Sequence, residues 1–242
     1  MITTEDRLIE LEQMTNVRDL GGYETLEGRL TKMGRYIRSS SPANATEEDI
    51  QKLKNYGVKV ALDLRSDFEK SVQPSPFKDD PDVDYVEINL LSQEEVHVVP
   101  EEVRTYKDLG GLYCFTIEAN KDTFRQVFEL FYEHPYDGIL FHCSAGKDRT
   151  GLVAALLLEL CAVDDYMIVK DYSLSYEYNM KMIEQMKDLM DEETIEYLSS
   201  SPRYMMIFLA YLREHYVSAR GYLLDIGLSE DQVDDIREMF LI

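Results

Sequence analysis

The sequence predicts an α/β fold, and two observations carry that expectation. Short apolar segments of strand character, at residues 58–64, 85–90 and 138–142, are interleaved with segments of helical period. The stretch 150–162 is apolar on almost every side, with Glu159 its only charge, which is the pattern of a helix buried at the centre of a domain. The 242 residues suffice for one sizeable domain, 1–242, and no repeat, low-complexity tract or linker divides them.

Residues 1–15 read as a capped turn or short helix anchored by Leu8, Ile9 and Leu11. Asn16-Val17-Arg18-Asp19-Leu20-Gly21-Gly22 follows, with paired glycines that demand an unusual backbone. Glu27-Gly28 predicts a hairpin turn, and Tyr36 to Ser39 a strand. Thr46, followed by Glu47, Glu48 and Asp49, opens a helix that Gly57 closes. Residues 58–64 alternate and then run apolar, as a buried strand does. Pro74, Pro76 and Pro81 mark an irregular loop, and 85–90 alternate again. Residues 92–111 are polar and are expected to be loop with some helix. Phe124, Val127, Phe128 and Phe131 lie at helical spacing within 121–134, and 138–142 form a short buried strand ending at Cys143. Two last helices are expected at 203–217 and 229–241.

A formal net charge of −22 excludes more than it identifies. Nucleic-acid backbones and anionic membrane surfaces would be repelled. Cys114, Cys143 and Cys161 are odd in number and widely spaced, which speaks against a disulfide framework and for a reducing compartment. The first residues lack a basic region followed by an apolar run, and no run of about eighteen apolar residues spans a membrane. A cytoplasmic protein with neither a nucleic-acid partner nor an integral membrane segment is expected. No His-Glu-x-x-His or paired-cysteine spacing occurs, so neither a catalytic metal nor another cofactor is expected. Gly146-Lys147 is not a nucleotide-binding element, because Asp148 follows it.

The chemistry concentrates in His142-Cys143-Ser144-Ala145-Gly146-Lys147-Asp148-Arg149-Thr150-Gly151. A loop of this length between a strand and a helix can aim the N–H groups of Ser144, Ala145, Gly146 and Lys147 at one oxyanion, with the helix N-terminus adding partial positive charge. Arg149 supplies a fork matched to two phosphate oxygens. Cys143 at the base of such a cup is expected to be a thiolate, placed for in-line attack that gives a phosphocysteine. Thr150 could donate a hydrogen bond to the departing sulfur. Cys114 and Cys161 lack this setting and are expected to be small buried hydrophobes.

This string resembles the active-site loop of the protein tyrosine phosphatase superfamily. The Gly-Lys-Asp-Arg-Thr-Gly form, with residues 16–22 and Asp63-Leu64-Arg65-Ser66, is similar to a bacterial tyrosine and dual-specificity branch. Asp171-Tyr172, Tyr222-Leu223-Leu224 and Gly227-Leu228-Ser229 extend the likeness. The resemblance implies a central, mainly parallel sheet flanked by helices, with a helical lid, for which the Met- and Tyr-rich stretch 165–200 is the candidate. It also implies hydrolysis of phosphotyrosine, with phosphoserine/threonine or phosphoinositide as further substrates. A non-catalytic module that captures phosphorylated partners would typically lack the cysteine or the arginine.

Two aspartates compete to protonate the leaving group. Asp63 ends a buried strand and holds the position the resemblance points to as a proposed acid; an ion pair with Arg65 is its ordinary alternative. Asp148 sits between two cations, which oppose its protonation, although the resemblance to related lipid phosphatases implies an acid placed like Asp148. Asp63 is therefore the expected acid. Lys147 either adds a charge for a second phosphate or pairs near Asp148. Arg18 is a candidate substrate contact whose more ordinary task is to fix Asp19 or the loop.

Overall fold

The computed structural model describes residues 3–90, 106–180, 183–184 and 199–242. Five strands, Arg18–Asp19 (β1), Tyr36–Ser39 (β2), Val58–Asp63 (β3), Asp84–Glu87 (β4) and Gly138–His142 (β5), form one sheet in the order β1-β2-β5-β3-β4. Only β1 is antiparallel to its neighbour, so the expected mainly parallel sheet is present. Strand β5 lies at its centre with all five residues buried, which is why it reads as a continuous apolar run. Ile139 and Phe141 join the larger apolar cluster, whereas Leu140 packs with Ile37 and Ala61 in a smaller one. The two-residue period of a strand divides the two clusters.

The helices are Thr4–Arg7 (α1), Glu47–Tyr56 (α2), Asp67–Val72 (α3), Leu109–Ala119 (α4), Lys121–Glu133 (α5), Arg149–Leu160 (α6), Asp165–Tyr178 (α7), Pro202–Tyr216 (α8), Ala219–Asp225 (α9) and Glu230–Met239 (α10). Thr46 and Asp49 cap α2 reciprocally, and Gly57 ends it at φ 112°, a left-handed conformation suited to glycine. The apolar stretch after Thr150 is buried as α6, its side chains packing within the larger cluster.

Three elements differ from expectation. Strand β4 stops at Glu87, although Ile88 and Leu90 still donate backbone bonds to Asp63 and Leu64. The segment from Glu27 to Gly28, by contrast, turns as expected, its flanks joined by Thr25 N to Arg29 O and Thr31 N to Tyr23 O, each at 2.9 Å. Helices α4 and α9 were not foreseen as such. Gly110 and Gly111 weaken the local signal of α4, yet Gly110 lets Ile207 approach so closely that a Cβ would lie 2.8 Å from it. Of the expected lid, Asp165–Tyr178 is α7, whereas residues 181–182 and 185–198 lie outside the described residues, as do 91–105. Among the described residues no helix is long and apolar enough to cross a membrane.

Candidate active site

Residues 143–148 leave the carboxyl end of β5 and enter the N-terminus of α6, the edge at which open parallel sheets place their ligands. Cys143 is 2% exposed at the base of the bend. Gly146 adopts φ 66°, and a Cβ there would sit 2.3 Å from the Ser39 carbonyl, so only glycine fits.

The loop carbonyls are tied to the surrounding protein. Ser144 O accepts from Ser41 N at 2.9 Å. Ala145 O accepts from Asn16 Nδ2 at 2.9 Å and Asn179 Nδ2 at 2.8 Å. Gly146 O accepts from Asn16 Nδ2 at 3.0 Å and Arg38 Nη2 at 2.7 Å. A trans peptide sets each N–H opposite the preceding C=O, so these ties turn the N–H groups of Ala145, Gly146 and Lys147 to the inner side of the bend. Asp148 caps α6 without a side-chain cap bond, which leaves the helix N-terminus open to an anion. Thr150 Oγ1 is buried and has no hydrogen-bond partner among the described residues.

Arg149 donates from Nη1 and Nη2 to the two carboxylate oxygens of Glu69, each at 2.7 Å. Ser144 Oγ also donates to Glu69, and Ser66 N and Oγ reach its second oxygen at 2.9 Å. Hydrogen bonding from Arg149 holds the Glu69 carboxyl well below the usual range, against a smaller opposing effect of burial. Glu69 takes the outer end of the guanidinium, and the Nε edge carries no bond to a described residue. That edge matches two phosphate oxygens.

For three candidate residues the structure shows the ordinary alternative that the sequence left open. Asp63 is fully buried, and its carboxylate is held by Arg65 Nε at 2.9 Å, Arg65 Nη2 at 2.6 Å and Tyr85 Oη at 2.8 Å. Burial is the largest influence on its pKa and raises it, but the bonds and charge of Arg65 together with His142 lower it on balance, which opposes protonation. Lys147 is no open cation: its side chain is 3% exposed, with Nζ 3.4 Å from Asp148 Oδ1 and 3.3 Å from Ser199 O. Arg18 is buried and donates to Asp171, Asn16 and Ser175, so it supports the loop from behind and has no face for substrate.

Asp148, by contrast, is 36% exposed in its side chain at the rim of the cup. It accepts a hydrogen bond from Tyr113 Oη, which in turn lies 2.7 Å from Tyr172 Oη. Burial and the neighbouring Asp148 raise the Tyr113 pKa well above its ordinary value, which keeps that hydroxyl a donor. His142 Nδ1 lies 3.2 Å from Cys143 O, and burial pushes its pKa down to about 4. A cavity of about 710 Å³ opens beside the loop at Ser144 and passes Ser41 and Gln73 towards Glu10 and Glu12. None of its described lining residues is a cation. No group of three or more His, Cys, Asp or Glu side chains able to hold a metal occurs among the described residues.

Sequence reasoning assigned no role to Glu69, Arg38, Asn16, Asn179 or Tyr113. Ser66-Asp67-Phe68-Glu69 is legible as a capping box, but nothing local signals that Glu69 meets Arg149.

A nucleophile-bearing cup of inward N–H groups, closed by an arginine at the carboxyl edge of a parallel sheet, defines a phosphate-handling cysteine hydrolase. The sequence profile of the tyrosine phosphatase family matches residues 9–242, and the chain belongs to that family. It is 30% identical over 216 residues to a tyrosine-protein phosphatase of Nostoc commune, a match covering 84% of this chain and 72% of that protein. It is also 30% identical over 120 residues to the triple specificity protein phosphatase PtpB of Mycobacterium tuberculosis, covering 43% of this chain and 44% of that one. The crystal structure of P. aeruginosa TpbA aligns at a TM-score of 0.41 and 15% identity, over 83% of this chain and 91% of that one. Tyrosine-phosphatase-type hydrolysis through a phosphocysteine intermediate is the activity this membership gives.

Proposed function

We propose that the protein dephosphorylates phosphotyrosine in proteins, with Cys143 as nucleophile and Asp148 as general acid. The thiolate attacks phosphorus, the bond from phosphorus to the tyrosine oxygen breaks, and Asp148 gives its proton to that oxygen. Asp148, now a carboxylate, then takes a proton from water as the water oxygen attacks the phosphocysteine. Inorganic phosphate leaves, and Thr150 donates a hydrogen bond to the regenerated thiolate. The N–H groups of the loop and the Nε edge of Arg149 stabilise the equatorial oxygens throughout. The observation that carries this reading is the set of outward-tied carbonyls, because it orients the donors before any anion arrives.

A phosphoprotein is favoured over a phosphoinositide by the surroundings of the cup. A headgroup with several phosphates needs further cations, yet Lys147 is buried against Asp148, and the adjoining cavity carries Glu10 and Glu12 instead. In this reading 1–242 is one catalytic unit, with α7 backing the phosphate loop. A free, buried nucleophilic thiol suits the reducing cytoplasm. Rates on matched phosphotyrosyl and phosphoseryl peptides and soluble phosphoinositides in one assay test the proposal. Phosphotyrosine is expected to be fastest, and faster turnover of phosphoinositides would overturn it.

A further inference from the structure

Asp171, Ser175 and Asn179 recur every fourth residue along α7 and its C-cap, and so share one helix face. All three are buried. Asp171 Oδ1 accepts from Arg18 Nε at 2.8 Å and from Tyr23 Oη at 3.0 Å, while Oδ2 accepts from Arg38 Nη1 at 2.5 Å. Ser175 Oγ accepts from Nη2 of Arg18 at 3.1 Å and of Arg38 at 3.4 Å. One carboxylate thus bridges two enclosed guanidiniums that would otherwise repel each other, offsetting one of their two charges.

Both arginines reach the back of the phosphate loop. Arg38 donates directly to Gly146 O. Arg18 donates to Asn16 Oδ1, which commits the other end of that amide, Nδ2, to Ala145 O and Gly146 O. Asn179 is fixed in the same manner: Thr15 Oγ1 donates to its Oδ1 at 2.9 Å, so its Nδ2 faces Ala145 O. Every one of these contacts ends on a carbonyl oxygen, and each turned carbonyl aims an N–H the other way.

We propose that the Asp171–Ser175–Asn179 face of α7 is the positioning device of the phosphate cup, with Asp171 its anchor. The inference rests on the reading of residues 143–149 as that cup. The three residues act through the loop and are not catalytic residues.

The test measures inorganic phosphate affinity by calorimetry, alongside kcat and KM on aryl phosphates, for Asn179→Ala, Asn179→Asp and Asp171→Asn. Asn179→Ala is expected to weaken phosphate binding about five-fold, the worth of one neutral hydrogen bond. Asn179→Asp should weaken it further, because a carboxylate then faces the Ala145 carbonyl. Both losses should be equal for good and poor leaving groups, since the donors shift and the acid does not. A purely structural residue would lower kcat in proportion to the folded fraction and leave phosphate affinity and KM unchanged; that result overturns the proposal. Asp171→Asn should lose more affinity than Asn179→Ala where it folds; where it does not fold, the two Asn179 variants decide alone. Phosphate binding by wild type without turnover would refute the proposed function while leaving this inference measurable.

Discussion

Replacing Glu69 by glutamine is expected to slow the enzyme and weaken its hold on phosphate. The alternative is that Glu69 occupies the fork as a competitor of phosphate, in which case the substitution would accelerate it. Geometry decides between them: Glu69 engages the outer end of Arg149 through two bonds of 2.7 Å, and the Nε edge is left for substrate. A hydrogen bond to a charged group contributes about 1.5–3 kcal/mol when enclosed. The side chains here are 12% and 28% exposed, so solvent screening brings the pair to about 2 kcal/mol at most. Loss of that orientation corresponds to roughly a ten- to thirty-fold fall in kcat/KM. Because the folded-state pKa of Glu69 is depressed, its stabilisation is present above the ordinary glutamate range and is lost as pH falls below it. Urea titrations of wild type and Glu69→Gln should therefore differ by a constant amount from pH 7 down to about 4.5, and converge at lower pH. Tighter phosphate binding or faster turnover in Glu69→Gln would refute the reasoning.

Cys143→Ser should abolish hydrolysis of an aryl phosphate while phosphate binding persists; residual turnover above about one part in a thousand would contradict the nucleophile assignment. Asp148→Asn should remove the basic limb of the pH–rate profile and lose most on substrates with poor leaving groups. Asp63→Asn should keep that limb but unfold at lower denaturant, by about 3 kcal/mol or more, because Arg65 is left buried without its carboxylate. Tyr113→Phe removes the hydrogen bond that orients the Asp148 carboxyl, so kcat should fall most on substrates with poor leaving groups, which rates across a leaving-group series would detect.

The scaffold was legible because its signals are local. The apolar run of 138–142 and the all-round apolar helix after Thr150 announce a strand and a helix buried at the centre, and the loop between them is contiguous in sequence. The order of preference between Asp63 and Asp148 differs between the sequence and the proposed function for a physical reason. Strand position and flanking charge are visible in a sequence, whereas enclosure is not. Of the two cations beside Asp148 in sequence, Arg149 turns to Glu69, whereas Lys147 stays 3.4 Å from the Asp148 carboxylate. Asp63, from the chosen strand end, is enclosed by Arg65 and Tyr85. Asn16, Arg38 and Asn179 converge on two carbonyl oxygens, those of Ala145 and Gly146, with Asp171 behind them, and the Thr15–Asn179 bond that fixes this corner joins residues 164 apart. Residue type and spacing carry no trace of such convergence.

The same convergence explains how a chain of net charge −22 can hold a dianion. Screening confines exposed carboxylates to a range of about 8–10 Å, so most of that charge is not felt at the loop. The charges close enough to matter are arranged in partly compensated groups. Asp171 offsets one of the two charges of Arg18 and Arg38 behind the loop, Glu69 pairs with one end of Arg149, and Lys147 faces Asp148. What faces the inner side is largely dipolar, the N–H groups of residues 145–147 and the open N-terminus of α6, beside the Nε edge of Arg149 and one net positive charge behind the loop. Dipoles fixed by buried side chains need no reorganisation when phosphate binds or when charge shifts during transfer. The cup's affinity therefore depends on the rigidity of the residues behind it more than on net charge, which is why the carbonyl ties, and not added surface cations, are the place to perturb it.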